Sequence, residues 1–253
     1  MKILIVKCLT DNYSYIIYNE KTSIAAVIDP SEAQPIIKQI EHNNLQLKYI
    51  LNTHHHYDHV GGNSKLKEKY NCKVLGYEKD KKRIPDIDVE LKDNQKYKNE
   101  LFECLISHIP GHTSGHISIY IKDLNALFTG DTLFSLGCGR IFEGTYNEMF
   151  NSLNKLKKFP VNTKIYCGHE YTKKNLDFCL SIEPENKKLI EKIDQIKHNL
   201  KNNMPTIPST LKDELECNIF LRSDNLLVQK QLGINSGNSL ETFTKLRDLK
   251  DNF

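Results

Sequence analysis

The amino-acid sequence predicts an α/β fold whose last third is helical, and three features carry that expectation. Over the first two thirds, short apolar or β-branched runs alternate with turn signals and polar amphipathic stretches, the rhythm of strands and helices. Several runs end at a histidine or an aspartate, and layered α/β proteins build their sites just past the carboxyl ends of strands. From about Tyr171 the texture changes to helical spacing.

Strands are expected at Lys2 to Lys7, Tyr13 to Tyr18, Ile24 to Ile28, Tyr49 to Thr53, Cys72 to Tyr77, Ile117 to Ile121, Ala126 to Thr129 and Lys164 to Cys167, on their apolar and β-branched content. Thr145-Tyr146-Asn147-Glu148 has capping-box spacing, a hydroxyl for the third backbone N–H and a carboxylate that reaches back. Met149, Phe150, Leu153 and Leu156 follow at helical period, so a helix is expected there, ending before Pro160. Glu185 to Lys201 places Leu189, Ile193, Ile196 and Leu200 on one stripe, with its lysines on a solvated face. Pro205 and Pro208 break the chain, and Leu240 to Phe253 has helical spacing in Leu240, Phe243 and Leu246. Beyond Tyr171 no strand is expected, and the helices there are expected to cover the α/β part.

The chain has 253 residues and a mass of 29.3 kDa, enough for a sizeable core in one large domain or one domain with a smaller appendage. Its 39% hydrophobic and 26% charged residues are those of an ordinary globular protein, without disordered or fibrous bias. Basic and acidic residues, 35 and 32, leave a formal charge of +3, too little for a nucleic-acid or membrane surface without a clustered patch. No apolar run approaches the ~20 residues of a spanning helix, and Met-Lys-Ile-Leu-Ile-Val-Lys at the start is too short for a signal h-region. A cytoplasmic protein without nucleic-acid or membrane partners is expected. The seven cysteines (Cys8, Cys72, Cys104, Cys138, Cys167, Cys179, Cys217) are odd in number and scattered, with no Cys-x-x-Cys pair. They read as reduced, buried residues rather than ligands or nucleophiles.

The densest chemistry lies at residues 54 to 59, His-His-His-Tyr-Asp-His, followed by Val60-Gly61-Gly62. If Thr53 ends a strand, alternation sends His54 and His56 to one side and His55 to the other, so two imidazoles converge. Gly61 and Gly62 permit a tight turn or close packing, and Asp58 and His59 can then face a second point. Imidazole nitrogen and carboxylate oxygen suit zinc and neighbouring first-row metals, and the absence of cysteine argues against a closed structural zinc site. So many ionisable groups in one loop repel unless something divalent neutralises them. Two metals need further ligands at strand ends. His112 in Pro110-Gly111-His112-Thr113, Asp131 in Thr129-Gly130-Asp131-Thr132 and His169 in Cys167-Gly168-His169-Glu170 stand at such places. Singly each would read as a satisfied buried polar group; their joint placement reverses that. His55, His108 and His116 read as structural or as supports for ligands, His42 and His198 as surface residues, and Asp29 as a group orienting a ligand histidine.

The motif His-x-His-x-Asp-His at residues 54 to 59, with the later Gly-His-Thr, Gly-Asp-Thr and Gly-His-Glu, resembles the metallo-β-lactamase superfamily. Within it, Thr53 to Asn63, Gly137-Cys138-Gly139-Arg140, Glu143-Gly144-Thr145, Tyr166 to Tyr171 and Pro208-Ser209-Thr210-Leu211 resemble the glyoxalase II (hydroxyacylglutathione hydrolase) family. The likeness runs over nearly the whole chain, from Asp11-Asn12-Tyr13 to the last helix. It implies a four-layered αββα sandwich as catalytic domain over residues 1–170 and an α-helical substrate-binding domain over 171–253. It implies that His54, His56 and His112 hold one divalent metal, that Asp58, His59 and His169 hold the other, and that Asp131 bridges both. Zn2+ is the expected metal, with iron or manganese also compatible with these ligands. Asp58 and Asp131 are the expected catalytic residues, holding the bridging hydroxide. Substrate contacts are implied for Arg140, Phe142, Tyr171 and the pair Arg247 and Lys250, which stand three apart on one helix face. Phe142 stands where the family commonly has tyrosine, Tyr57 where it has tryptophan, and Ile219 of Asn218-Ile219-Phe220 where it has proline; these departures bear on substrate affinity more than on reaction type.

The implied reaction is hydrolysis of S-(2-hydroxyacyl)glutathione thioesters, S-D-lactoylglutathione to glutathione and D-lactate, the second step of methylglyoxal detoxification. Two divalent ions ~3.5–4 Å apart can share a water and bring its pKa toward ~7. A thioester fits, because a thiolate of pKa ~8.5 leaves without a strong general acid. No Gly-x-Ser-x-Gly elbow offers a rival nucleophile. The alternatives are a hydrolase acting on another thiol carrier, whose relatives lack the Arg247 and Lys250 pair, and a single-iron sulfur dioxygenase of the same fold, which has no use for Asp58, His59 and His169. An RNA-processing hydrolase needs basic domains that this charge does not provide, and a binding module without turnover does not need complete ligands. A small-molecule substrate and a monomer are expected.

Overall fold

Aliphatic and aromatic residues open the chain as strands in the structure, a computed structural model that describes residues 1–235 and 237–253. Packing divides the chain into two units, residues 1–108 with 115–130 and residues 109–114 with 131–253.

In the first unit, β1 (Lys2–Cys8), β2 (Asn12–Tyr18), β3 (Ile24–Ile28), α1 (Ala33–His42), β4 (Gln46–Leu51), α2 (Tyr57–Val60), α3 (Asn63–Tyr70), β5 (Lys73–Tyr77) and β6 (Ile87–Leu91) follow in order. Their strands form one mixed sheet in sequence order. β1 to β3 are antiparallel through short turns, whereas β3 to β6 run parallel. Parallel neighbours need crossovers, and α1 and α3 supply two of them. β7 (Lys96–Lys98), β8 (Glu103–His108), β9 (Ile117–Ile121) and β10 (Ala126–Gly130) form an antiparallel run. Ile36, Ile37 and Ile40 of α1 and Leu66 of α3 share a core with Val6, Ile16, Val27, Ile50 and Val74 on one face of the mixed sheet. Toward the antiparallel run, Tyr15 of β2 meets Phe128 of β10, ring centroids 5.3 Å apart. Covered by these layers, β2 is buried along nearly its whole length, and its residues show no alternation of burial.

The second unit holds a hairpin of β11 (Leu133–Phe134) and β12 (Gly137–Cys138), then α4 (Tyr146–Leu156), β13 (Lys164–Cys167), α5 (Thr172–Ile182), α6 (Lys187–Lys201), β14 (Ser209–Thr210), α7 (Leu211–Cys217), α8 (Leu226–Gln231) and α9 (Ser239–Asp251). The expected capping box forms: Thr145 accepts from Glu148 N–H, and the Glu148 carboxylate accepts from Thr145 N–H. Asn186 and Asn238 cap α6 and α9 through their side-chain oxygens. Phe150, Phe243, Phe220 and Phe178 join α4, α9 and α5 through successive ring contacts of 5.8, 6.1 and 6.0 Å.

The end of β4 and the strand content past Tyr171 differ from expectation, and β6, β7, β8, β11 and β12 were not expected. β4 ends at Leu51, because the Thr53 N–H and hydroxyl donate to the Asp29 carboxylate at 2.7 and 2.6 Å and draw the backbone out of the ladder. A strand does occur beyond Tyr171: β14 pairs antiparallel with Lys164 and Ile165, and its two residues are too few to show a period. Among the described residues no helix is long and apolar enough to cross a membrane. All seven cysteines are buried thiols.

Candidate metal centre

In the first unit the loop of candidate ligands leaves β4 through Asn52 and Thr53. His54 is fully buried, its ring 4.7 Å from that of His56 and 4.1 Å from that of His59. His55 turns to the buried carboxylate of Asp80, at 3.5 Å. The expected pairing of His54 with His56 therefore occurs, but it comes from a loop and not from strand alternation. His56 is the N-cap of α2, the single turn that carries Asp58 and His59, whose Oδ2 and Nε2 lie 3.6 Å apart. Gly61 and Gly62 press that turn onto the backbone of residues 30–32: a Cβ at either would stand 2.6 Å from Ser31 O or 2.8 Å from Pro30 O.

Asp29, just past β3, fixes the ring of one candidate ligand histidine, His59. Its Oδ2 accepts from the Thr53 hydroxyl and from His59 Nδ1 at 3.1 Å, which leaves Nε2 of His59 as the nitrogen with a lone pair to offer. The Thr53 hydroxyl, having given its proton to Asp29, receives Nδ1–H of His54 at 3.1 Å, and the same logic frees Nε2 of His54. Asp29, His54 and His59 lie close enough to be read as a metal-holding group themselves, but the Asp29 carboxylate already accepts three hydrogen bonds and is a support. His116 stacks on His54 at 4.5 Å, and His108 stacks on Tyr77 at 4.7 Å, while His42 and His198 are exposed. Two supports carried no sequence signal of their own. Asn12 donates to the Asp58 carbonyl at 3.1 Å and carboxylate at 2.9 Å, and Asp80 braces His55.

In the second unit, Nε2 of His112 and Nε2 of His169 lie 3.6 and 3.2 Å from the same oxygen of Asp131. His112 Nδ1 donates to the Arg140 carbonyl at 2.9 Å, so its Nε2 is again the acceptor nitrogen. Gly139 makes this possible, since a Cβ there would overlap the Asp131 carbonyl and crowd His112 Nδ1. Tyr171 stacks on His169, rings 4.7 Å apart and nearly parallel. Phe142 is 62% exposed with its ring 5.2 Å from His112, and Arg140 is exposed with Nε 3.4 Å from Asp251. Arg247 and Lys250 are engaged internally. Arg247 is 3% exposed, donates to the Cys138 carbonyl at 2.8 Å and to Asp251 at 2.9 Å, and lies over Phe220. Lys250 donates to the Lys174 carbonyl at 2.9 Å and lies over Phe178 and Phe253, and burial lowers its pKa.

This donor set fits divalent first-row cations: imidazoles, of which His54, His59 and His112 have the far nitrogen tied to an oxygen, together with carboxylates. The nearby thiols do not compete as nucleophiles. Burial pushes Cys138 up to about 11 and Cys167 up to about 12, so neither is a thiolate at neutral pH.

A family model described as "Metallo-beta-lactamase superfamily" matches residues 10–169, and one described as "Hydroxyacylglutathione hydrolase C-terminus" matches residues 170–253. The chain is 57% identical over 253 residues to a hydroxyacylglutathione hydrolase of Pelagibacter ubique (strain HTCC1062), covering 100% of both chains. It is 40% identical over 253 residues to one from Methylococcus capsulatus, covering 100% of this chain and 99% of that protein. Among solved structures, ETHE1 from Myxococcus xanthus superposes with a TM-score of 0.71 at 21% identity, over 98% of this chain and 90% of that one. The B3 metallo-β-lactamase BLEG-1 does so with a TM-score of 0.68 at 21% identity, over 87% of this chain and 99% of that one. At such identity these two speak for the fold alone.

Proposed function

The chain belongs to the hydroxyacylglutathione hydrolase family of the metallo-β-lactamase superfamily, and on that premise we propose that it hydrolyses S-(2-hydroxyacyl)glutathione thioesters, S-D-lactoylglutathione to glutathione and D-lactate. Its fold is the α/β sandwich of that superfamily with a C-terminal helical domain, and it is a metal-dependent hydrolase. The proposed ligands are His54, His56 and His112 for one ion and Asp58, His59 and His169 for the other, with Asp131 shared and zinc as the metal. What carries the reading is the convergence of two imidazole nitrogens on one oxygen of Asp131. Acceptor nitrogens aimed at a carboxylate oxygen are favourable around a shared cation.

Held by these residues, divalent ions would make water nucleophilic at neutral pH and would supply Lewis acidity toward the thioester carbonyl. The chain's own residues do the rest. Asp29 and Thr53 lock the tautomers of His54 and His59, and the Arg140 carbonyl locks that of His112. Asp58, braced by Asn12, is proposed to accept the proton of the attacking water. Arg140, Phe142, Tyr171, Arg247 and Lys250 are proposed to meet the thiol carrier, Arg247 also fixing the Cys138 peptide that leads to Arg140. In functional terms residues 1–170 form the proposed catalytic domain and 171–253 the proposed substrate domain, in a cytoplasmic monomer.

The test is steady-state hydrolysis of S-lactoylglutathione beside other thioesters, with metal analysis of the same samples, for the native chain and His54→Ala. Two ions per chain, a preference for the glutathione thioester and near-total loss of rate in the variant are expected. Full activity of the variant, or one iron per chain with oxygen consumption, would overturn the reading.

A further inference from the structure

The turn of the β11–β12 hairpin is held by side chains that the proposed reaction does not use. Leu136, at that turn, has φ +59°, a backbone region that side-chain-bearing residues rarely adopt and that persists only when the surroundings hold it. Its N–H donates to Oε2 of Glu214 at 2.8 Å, and its carbonyl accepts from Cys179 Sγ at 3.2 Å. Asn218 donates to the same Glu214 oxygen and to the Gly137 carbonyl, both at 3.0 Å. Asn175 donates to the Ser135 carbonyl at 3.0 Å, and a Cβ on Gly137 would overlap its amide. Glu214 and Asn218 are fully buried and Asn175 nearly so. One turn thus has its backbone groups taken by side chains of α5, of α7 and of the residue that caps α7.

The same hairpin leads to the three ligands of this unit. Asp131 lies two residues before β11. Phe134 sets its ring 6.0 Å from His169 and 5.2 Å from Tyr171. Past β12, Gly139 packs on the Asp131 carbonyl, its N–H donates to the Thr132 carbonyl at 3.2 Å, and the Arg140 carbonyl holds His112 Nδ1. We infer that Glu214, assisted by Asn218 and Asn175, is a positioning residue for His112, Asp131 and His169, acting through the hairpin turn to set the affinity of the two metal ions they help to hold. The inference rests on the reading of those three residues as ligands. Asn218 thereby acquires a role for the Asn-Ile-Phe segment that the sequence singled out.

The experiment titrates the metal-free full chain with Co2+ and follows visible absorption, for the native protein, Glu214→Leu, Glu214→Gln, Asn175→Ala and Asp131→Asn. The native chain takes two equivalents. Glu214→Leu weakens Co2+ uptake about tenfold or more and alters the spectrum, the range seen when groups supporting a ligand are removed. Glu214→Gln restores tight binding, because its amide oxygen accepts the same two donors. Asn175→Ala weakens Co2+ uptake by less, and decides the matter if Glu214→Leu does not fold by near-UV circular dichroism. Native affinity and spectrum in a folded Glu214→Leu or in Asn175→Ala, or a Gln variant no better than Leu, would overturn the clamp. A native chain that takes up no Co2+, or an Asp131→Asn chain that binds as the native one does, would overturn the ligand assignment and the clamp with it.

Discussion

Asp80 has no accessible surface, yet it sits in Glu78-Lys79-Asp80-Lys81-Lys82-Arg83, a run of charges that reads as a solvated face. Its burial is decided by Arg83, which folds back to donate from Nε at 3.1 Å, by His55 at 3.5 Å, and by Gly115, whose missing side chain leaves room for the carboxylate. No local pattern encodes a partner 35 positions away. Asp80→Ala is expected to lower stability by ~2–3 kcal/mol in urea unfolding, because it strips charged hydrogen bonds from a buried site. Asp29→Ala should cost metal affinity by roughly 10–100-fold, read by chelator competition, since Thr53 and His59 lose their common acceptor. The ligand candidates were legible because four of them crowd into six positions and the rest sit at strand ends. The internal seat of Arg247 was not: the resemblance marks it as a substrate contact, and only the fold shows the carbonyl of Cys138 receiving it.

At the scale of elements, the sequence was read best where a local rule is closed within a few residues. The capping box at Thr145 needs only Glu148, and the helix starts where the spacing places it. Thr145→Ala is expected to destabilise the protein by about 1 kcal/mol, measured as a shift in the urea midpoint without a change in slope. The strands of apolar runs were legible for the same reason. β7 was not, because Lys96-Tyr97-Lys98 is polar on both sides of one aromatic and forms only by pairing with Glu103 to Leu105. β4 stops short of its expected end because the side chain of Asp29, just past β3, competes for the Thr53 N–H.

For the whole molecule, two titration experiments follow. Burial raises the Glu214 carboxyl from 4.5 to about 7, against the pull of its hydrogen-bond donors and of Lys192, which is itself paired with Asp213 at 2.9 Å. The folded chain then keeps a proton that the unfolded chain releases. The stability this group contributes is full below about pH 4.5 and is lost as pH rises through about 7. Urea unfolding at about pH 5 and about pH 8 should show a difference of roughly 3 kcal/mol that Glu214→Gln removes. All seven cysteines are buried with raised pKa values, so a thiol reagent should titrate none of them in the native protein and all seven after denaturation. The hairpin turn has a last consequence, for heredity rather than chemistry. Its backbone is satisfied by Asn175, Glu214 and Asn218, which lie beyond residue 170, so a chimaera joined at that point inherits a turn from one parent and its fastening from the other. Tails grafted from relatives must bring matching hairpins.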